Sequence, residues 1–301
     1  MTEKRGMGWL PDYPDFRDYT VRTDRVEERF KRLGESYSVA GMLGKIGVAE
    51  AKEPPVSVDL RASCSPVEDQ GNLGSCTAHA GVGLVEYYER KVYGRHLDAS
   101  RLFLYKATRD LMGQKGDTGA FLRTTMGALR LFGVPPESFW PYEIARFDDE
   151  PSAFLYSFAK EYQSMQYFRV DPPEKRRDKV LGDIKRLLAH GIASMFGFTV
   201  YDSYEQASTS GRIPLPCTMD RIVGGHAVVA VGYDDGLEIK NTGSDLVAKG
   251  ALLFRNSWGK DWGERGYGRL PYQYVLGWMA IDWWSILKSE WVDLDAFGLE
   301  G

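Results

Sequence analysis

Cysteine is scarce in this chain: three in 301 residues, at Cys64, Cys76 and Cys217. Three thiols cannot build a paired disulfide framework, and their scatter offers no paired zinc-ligand spacing. Cys76 and His79 make one Cys-x-x-His step, but without a second ligand pair nearby no metal site is expected. Long apolar runs are missing too. No stretch reaches the ~18 residues of a membrane span, and residues 1–9 lack the apolar run of a signal peptide. The expected location is therefore cytoplasmic, or outside the cell by a signal-peptide-independent route. Neither sign of charge dominates: 38 Lys and Arg stand against 42 Asp and Glu, net −4, which leaves no electrostatic footprint for nucleic acid or anionic membrane. A complete dinucleotide fingerprint is also absent. Gly81 and Gly83 begin one, but Glu86 stands at the third glycine position, so they are read as close helix packing. There is no internal repeat and no low-complexity tract.

What is plentiful is core-forming material: 43% hydrophobic residues with eight Trp and seventeen Tyr, enough for one large domain or two smaller ones. The first 55 residues differ from the rest. Trp9, Pro11, Tyr13, Pro14, Phe16 and Tyr19 form an aromatic, proline-rich stretch expected to be extended, because proline restricts itself and its predecessor. Val26, Phe30 and Leu33 fall at helical spacing ahead of Gly34, and the chain from Gly47 to Pro55 reads as a loose linker. From Val56 to about residue 165 the pattern is mainly helical. A helix is expected from Ser75 with Ala78, Val82, Val85, Tyr88 and Val92 on one face, another capped by Ser100, a third from Ala120 to Leu131 stopping at Gly133, and two more near 154–159 and 179–190. After Gly191 short apolar runs bounded by glycine, such as 192–198, 227–233 and 251–255, read as buried strands. Helices followed by strands predict an α+β architecture of two sub-domains sharing a cleft.

The chemistry gathers on a few residues. Cys76 falls in the first turn of its helix, where free backbone N–H groups and the helix dipole favour a thiolate. Buried packing is the commoner fate of a lone cysteine, and its company decides the matter. A thiolate nucleophile needs a base, an orienter for that base, and donors for an oxyanion. His226 enters a buried strand in Gly224-Gly225-His226-Ala227, Asn256 follows another strand in Asn256-Ser257-Trp258-Gly259, and Gln70 lies six residues before Cys76.

Taken together, these segments resemble the papain family of cysteine peptidases, the papain and cathepsin group. His226 lies 226 − 76 = 150 residues after the cysteine, within the family's range of about 130–150. Asn256, at 256 − 76 = 180, is later, and the polar insertion from Asp234 to Gly250 accounts for the extra length. The resemblance covers about Pro54 to Leu287 and includes Phe132-Gly133-Val134 to Trp140-Pro141-Tyr142 and Trp258 to Tyr267. It implies a helical left lobe carrying Cys76, a β-barrel right lobe carrying His226 and Asn256, and a substrate cleft between them. It also implies a shielding role for Trp258, and substrate contacts from Gly74, Gly119, Gly225 and a side-chain pocket of Met195, Phe196 and Ala227 with an apolar or aromatic preference. Where the family has Cys-Gly-Ser-Cys-Trp, this chain has Leu73-Gly74-Ser75-Cys76-Thr77. Loss of the first cysteine removes a structural disulfide, which suits a reducing compartment. Cys64 and Cys217 are expected as packed thiols.

The expected activity is that of a cysteine endopeptidase acting on polypeptides without metal or organic cofactor, through a Cys76–His226 thiolate–imidazolium pair with a bell-shaped pH profile. Acyl transfer to an amine and peptide binding without cleavage are its rivals. The expected division is an N-terminal pro-segment over 1–55, a peptidase domain over 56–290, with a helical lobe to 165 and a β lobe from 166, and a tail over 291–301. Residues 1–55 are expected to act as an intramolecular inhibitor, with Trp9, Tyr13 and Phe16 nearest the cleft and a processing cut between Gly47 and Val56.

Overall fold

The structure, a computed structural model, describes residues 5–13, 15–48, 53–159 and 165–298. The helical lobe is built on α3 (Cys76–Tyr93), which touches both α4 (Arg101–Leu111) and α5 (Leu122–Phe132). Its ends follow local chemistry. Gly94 takes φ +69 at the C-terminus of α3, and Gly133 does the same after α5, a conformation that costs a residue with a Cβ. Ser100 caps α4 by accepting the N–H of Phe103 at 3.2 Å. A short α6 (Ala153–Phe158) completes the lobe.

The second lobe is one seven-stranded antiparallel sheet. Its order is β4 (Gln166–Arg169), β9 (Ala280–Leu287), β5 (Ser194–Tyr201), β6 (Ile222–Lys240), β7 (Val247–Arg255) and β8 (Tyr267–Pro271), with β2 (Ser57–Asp59) also paired to β6. The expected barrel does not close among the described residues. β4 and β8 remain the two edges, each met by an isolated bridge instead, Thr20 to Arg169 and Arg212 to Arg269. A bridge satisfies part of an edge without curling the sheet. The polar insertion after Asp234 continues the β6–β7 hairpin past a register shift, with Glu238 opposite Lys249. Helix α7 (Arg177–Ala189) packs on β6, α8 (Tyr272–Leu276) flanks the sheet, and Trp291 of α9 (Ser289–Asp293) stacks on Tyr88 of α3.

The described residues before 49 divide in two. Residues 20–48 carry α1 (Glu28–Arg32) and α2 (Val39–Lys45), and Phe30, Val39, Met42, Leu43 and Ile46 are buried. Glu35 accepts the N–H and hydroxyl of Ser289, each at 2.9 Å, and the amide of Gln166 at 3.1 Å. This part is core of the second lobe. Its helix α2 was not expected: Val-Ala-Gly-Met-Leu-Gly-Lys holds two glycines, and its clearest local signal is Ser38, which caps it by accepting the N–H of Gly41. Residues 5–10 instead run between the lobes, with β1 (Trp9–Leu10) parallel to β3 (Ala120–Phe121). The expected linker falls partly at 49–52, outside the described residues.

Candidate active site

Cys76 opens α3 and is fully buried. The turn before it needs Gly71, at φ +60, and leaves the sulfur beside the N-terminal arm: the N–H of Gly8 donates to Cys76 Sγ at 3.3 Å. Burial pushes the thiol up to about 11, against the pull of the backbone N–H groups of Ala227, Gly8, Thr77 and Cys76 itself.

On the facing lobe, β6 presents His226 and β7 ends immediately before Asn256. His226 Nε2 and Asn256 Oδ1 are 2.7 Å apart, and the same oxygen accepts the Ser257 N–H at 2.9 Å. Trp258 lies over the imidazole, with ring centroids 4.4 Å apart and planes at 22°. Burial lowers His226 to about 4, opposed by the Asn256 acceptor. Its Nδ1 has no hydrogen-bond partner among the described residues. No hydrogen bond joins Cys76 Sγ to His226 among the described residues, and the burial of both groups favours their neutral forms.

Gln70 bridges the lobes through its N–H to Ser257 O at 2.9 Å and through Oε1, which accepts the Ser257 hydroxyl at 2.5 Å. That fixes its amide nitrogen toward Leu73 O, at 2.7 Å, and Gly6 O, at 3.2 Å. Trp258 Nε1 donates to the same Gly6 oxygen at 3.3 Å. The arm thus places a carbonyl on the donor read from sequence as an oxyanion ligand.

The rest of the arm follows the cleft. Gly8 O accepts the Ala120 N–H at 2.7 Å, and a Cβ at Gly119 would collide with that oxygen. Gly8 itself backs onto Gly74. The Trp9 ring lies where side chains at Gly197 and Gly225 would be, and its Nε1 donates to Asp282 Oδ2 at 3.2 Å. Gly74, Gly119, Gly225, Trp258, Cys76 and Gln70 therefore meet the arm, and His226, bonded to Asn256, stacks on Trp258. Met195, Phe196 and Ala227 are buried in the sheet, and Phe196 stacks on Trp283 at 3.9 Å. Of the three aromatic anchors expected in the arm, only Trp9 docks. It is 6% exposed, whereas Tyr13 and Phe16 are 87% and 98% exposed, a correction to the sequence reading. All three cysteines are free.

Asp282 escaped the sequence reading. Its signal is a lone charge in the apolar run Ala280-Ile281-Asp282-Trp283-Trp284. It sits at φ +64 beside the irregular β5–β9 pairing, held there by its own N–H and that of Trp283 donating to Asp171, each at 2.9 Å. An irregularity of this kind re-aims a side chain. Burial raises the Asp282 carboxyl to about 6, opposed first by the Arg169 guanidinium.

The profile of the papain family cysteine proteases matches residues 54–277. The chain belongs to that family. It is 31% identical to an uncharacterised peptidase C1-like protein of Acanthamoeba polyphaga mimivirus over 95% of this chain and 88% of that protein. Xylellain, a cysteine protease from Xylella fastidiosa, superposes with a TM-score of 0.71 at 32% identity, covering 95% of this chain and 97% of its own. Chymopapain of Carica papaya is 27% identical over 73% of this chain, which spans 55% of chymopapain. Coverage of 95% takes in most of the first 53 residues, which lie outside the family profile. The chain is accordingly a cysteine protease of papain-like fold.

Proposed function

We propose that the protein is a cysteine endopeptidase held silent by its own N-terminal arm. In the open state Cys76 and His226 form the thiolate–imidazolium pair, Asn256 orients the imidazole, and Gln70 with the Cys76 N–H receives the oxyanion. The sulfur adds to a peptide carbonyl, His226 protonates the departing amine, and water cleaves the thioester. The 2.7 Å His226–Asn256 contact under Trp258 supports this assignment, because it holds the imidazole in one orientation.

The observation that carries the silent state is the Gly8 N–H on Cys76 Sγ. Arm backbone within hydrogen-bond reach of the sulfur stands where a substrate carbonyl would have to enter. Gly6 O meanwhile fills the donors of Gln70 and Trp258. The arm so bound is an inhibitor, and its tether keeps the effective concentration near millimolar. Residues 5–18 act as the plug, and 20–48 stay with the enzyme. A cut between Gly47 and Val56 alone would leave the plug joined to buried core, so release requires a cut or an opening before Thr20.

The plug also reports what the cleft accepts. With Asp282 against the indole N–H, the pocket walled by Gly197 and Gly225 takes a large side chain with a donor at its tip, a narrower class than the apolar or aromatic one expected from sequence.

The test compares the full chain, a chain lacking residues 1–18 and Cys76→Ala on one fluorogenic peptide, with cut sites in a denatured proteome mapped by mass spectrometry. Faster turnover by the shortened chain and none by Cys76→Ala is expected. Equal rates for full and shortened chains would remove the inhibitory arm, and cuts independent of Cys76 would remove the mechanism.

A further inference from the structure

The loop that forms the cleft's left wall is glycine-rich, with Gly113, Gly116 and Gly119 all at positive φ. Such a segment is conformationally free unless something fixes it. Three ties do so. Arg109 donates to Gly116 O at 2.6 Å and to Asp148 at 2.6 Å. The Asp117 carboxylate accepts the Gly74 N–H at 2.9 and 3.1 Å and the Tyr105 hydroxyl at 2.6 Å. The Tyr105 oxygen in turn accepts the Gly119 N–H at 3.0 Å. Gly74 lies two residues before the nucleophile, and a Cβ there would come within 2.8 Å of Asp117 Oδ1.

We infer that Asp117 is a positioning residue that sets the spacing between the nucleophile turn and the peptide-binding strand. It rests on the peptidase reading of this cleft. Through one carboxylate, Gly74 on the Cys76 turn is linked by way of Tyr105 to Gly119, and the next residue, Ala120, is where an extended chain takes its backbone hydrogen bond. No covalent bond ties these segments, since all three cysteines are free and Leu73 stands on the nucleophile side. Hydrogen bonds to an ionised carboxylate are about twice as strong as neutral ones, so a single exposed aspartate can hold the spacing. Among the described residues the Asp117 carboxylate is hydrogen-bonded to Gly74 and Tyr105 and not to Sγ or the arm. Its effect falls on how well an extended peptide lies in the cleft, and little on the reactivity of the sulfur.

The test uses the full chain carrying Trp9→Ala, so that the cleft is open. In that background Asp117→Ala is expected to raise KM for a four-residue peptide about tenfold with kcat within about threefold, one strong hydrogen bond's worth. Asp117→Asn, which keeps an oxygen acceptor, restores KM to within about threefold of the parent. The alkylation rate of Cys76 by iodoacetamide and the thermal midpoint stay at parental values. Tyr105→Phe raises KM in the same direction. An unchanged KM in Asp117→Ala, or a fall in kcat and alkylation rate with KM unmoved, would overturn the inference, as would a loss of thermal stability that accounts for the change. If the parent turns over no peptide, the peptidase reading has failed by itself. The inference is then read from the Kd of the same peptide on the chain carrying both Trp9→Ala and Cys76→Ala, expected to rise about tenfold with Asp117→Ala and overturned by a Kd that does not move.

Discussion

Residues 5–18 and residues 20–48 belong to one N-terminal stretch, yet they are held by different forces. The second part buries Phe30, Val39, Met42, Leu43 and Ile46, and at about 2 kcal/mol for each side chain the gross burial is of order 10 kcal/mol. The first part buries one large ring, Trp9, worth about 3 kcal/mol, and otherwise relies on hydrogen bonds that each net about 1 kcal/mol. A segment fixed mainly by apolar burial leaves only with the fold. One fixed by a single anchor and exchangeable hydrogen bonds can leave and return. The difference assigns regulation to the first part and stability to the second, although composition alone set them together.

The widest separation between the two comes from truncation. Removing residues 1–18 is expected to raise peptide turnover by at least tenfold with little change in thermal midpoint, and removing residues 1–53 to lower the midpoint by more than about 10 °C or to prevent folding. Calorimetry beside the peptide assay reads both. If both truncations are equally stable and equally active, the division between plug and core is wrong.

Within the plug, the contrast narrows to three aromatic residues. Trp9→Ala should shift the docking equilibrium by about two orders of magnitude, the value of the buried ring, so that activity approaches that of the shortened chain. Tyr13→Ala with Phe16→Ala should change turnover by less than about twofold. A smaller effect follows at the hinge between the two parts. Arg123 donates to Asp18 at 2.9 and 2.7 Å, to Asp12 at 2.7 Å and to Tyr13 O at 2.9 Å. This latch is partly exposed, so Arg123→Ala should weaken docking by about 1 kcal/mol, roughly fivefold in activity. No change would mean that the latch only decorates a segment already placed by Trp9.

The same contrast explains what could be read in the sequence. Cys76, His226, Asn256, Gln70 and Trp258 each stand in a short motif whose residue types are dictated locally: a helix start, strand ends, glycines for close approach. The helices around Ser100 and Gly133 carried their own stop and start signals. Which arm aromatic would dock was not local. It depends on empty space at Gly197 on β5 and Gly225 on β6, both far in sequence from Trp9, and those glycines look like any other strand glycine. The lone charge at Asp282 carries no local signal of its role, because its aim is set by the irregular β5–β9 pairing and by Asp171. The barrel implied by the resemblance does not close among the described residues, and the strands could not have shown this one by one, because closure depends on register summed across them.

The finest test concerns protons at the plug. With the arm seated, burial holds the Cys76 thiol up at about 11 and His226 down at about 4, so both are neutral, while Asp282 is raised to about 6 from its ordinary 3.8. On release the thiol proton passes to the imidazole, so the pair carries one proton in both states and adds no pH dependence to docking between about pH 5.5 and 6.5. For Asp282 the docked state binds its proton first, so docking strengthens as pH falls from 6 toward 3.8. If release returns the carboxyl to its ordinary value, plug release in the full chain should fall about threefold between pH 6.5 and 5.5. Asp282→Asn keeps an oxygen acceptor for the Trp9 indole but removes its titration, so plug release should become flat over the same range. The measurement is the alkylation rate of Cys76 by a bulky thiol reagent across this range, normalised to the same rate in the chain lacking residues 1–18. Parallel curves for the full chain and Asp282→Asn would show that the carboxylate keeps its proton affinity when the plug leaves, and that its titration is not coupled to docking through Trp9.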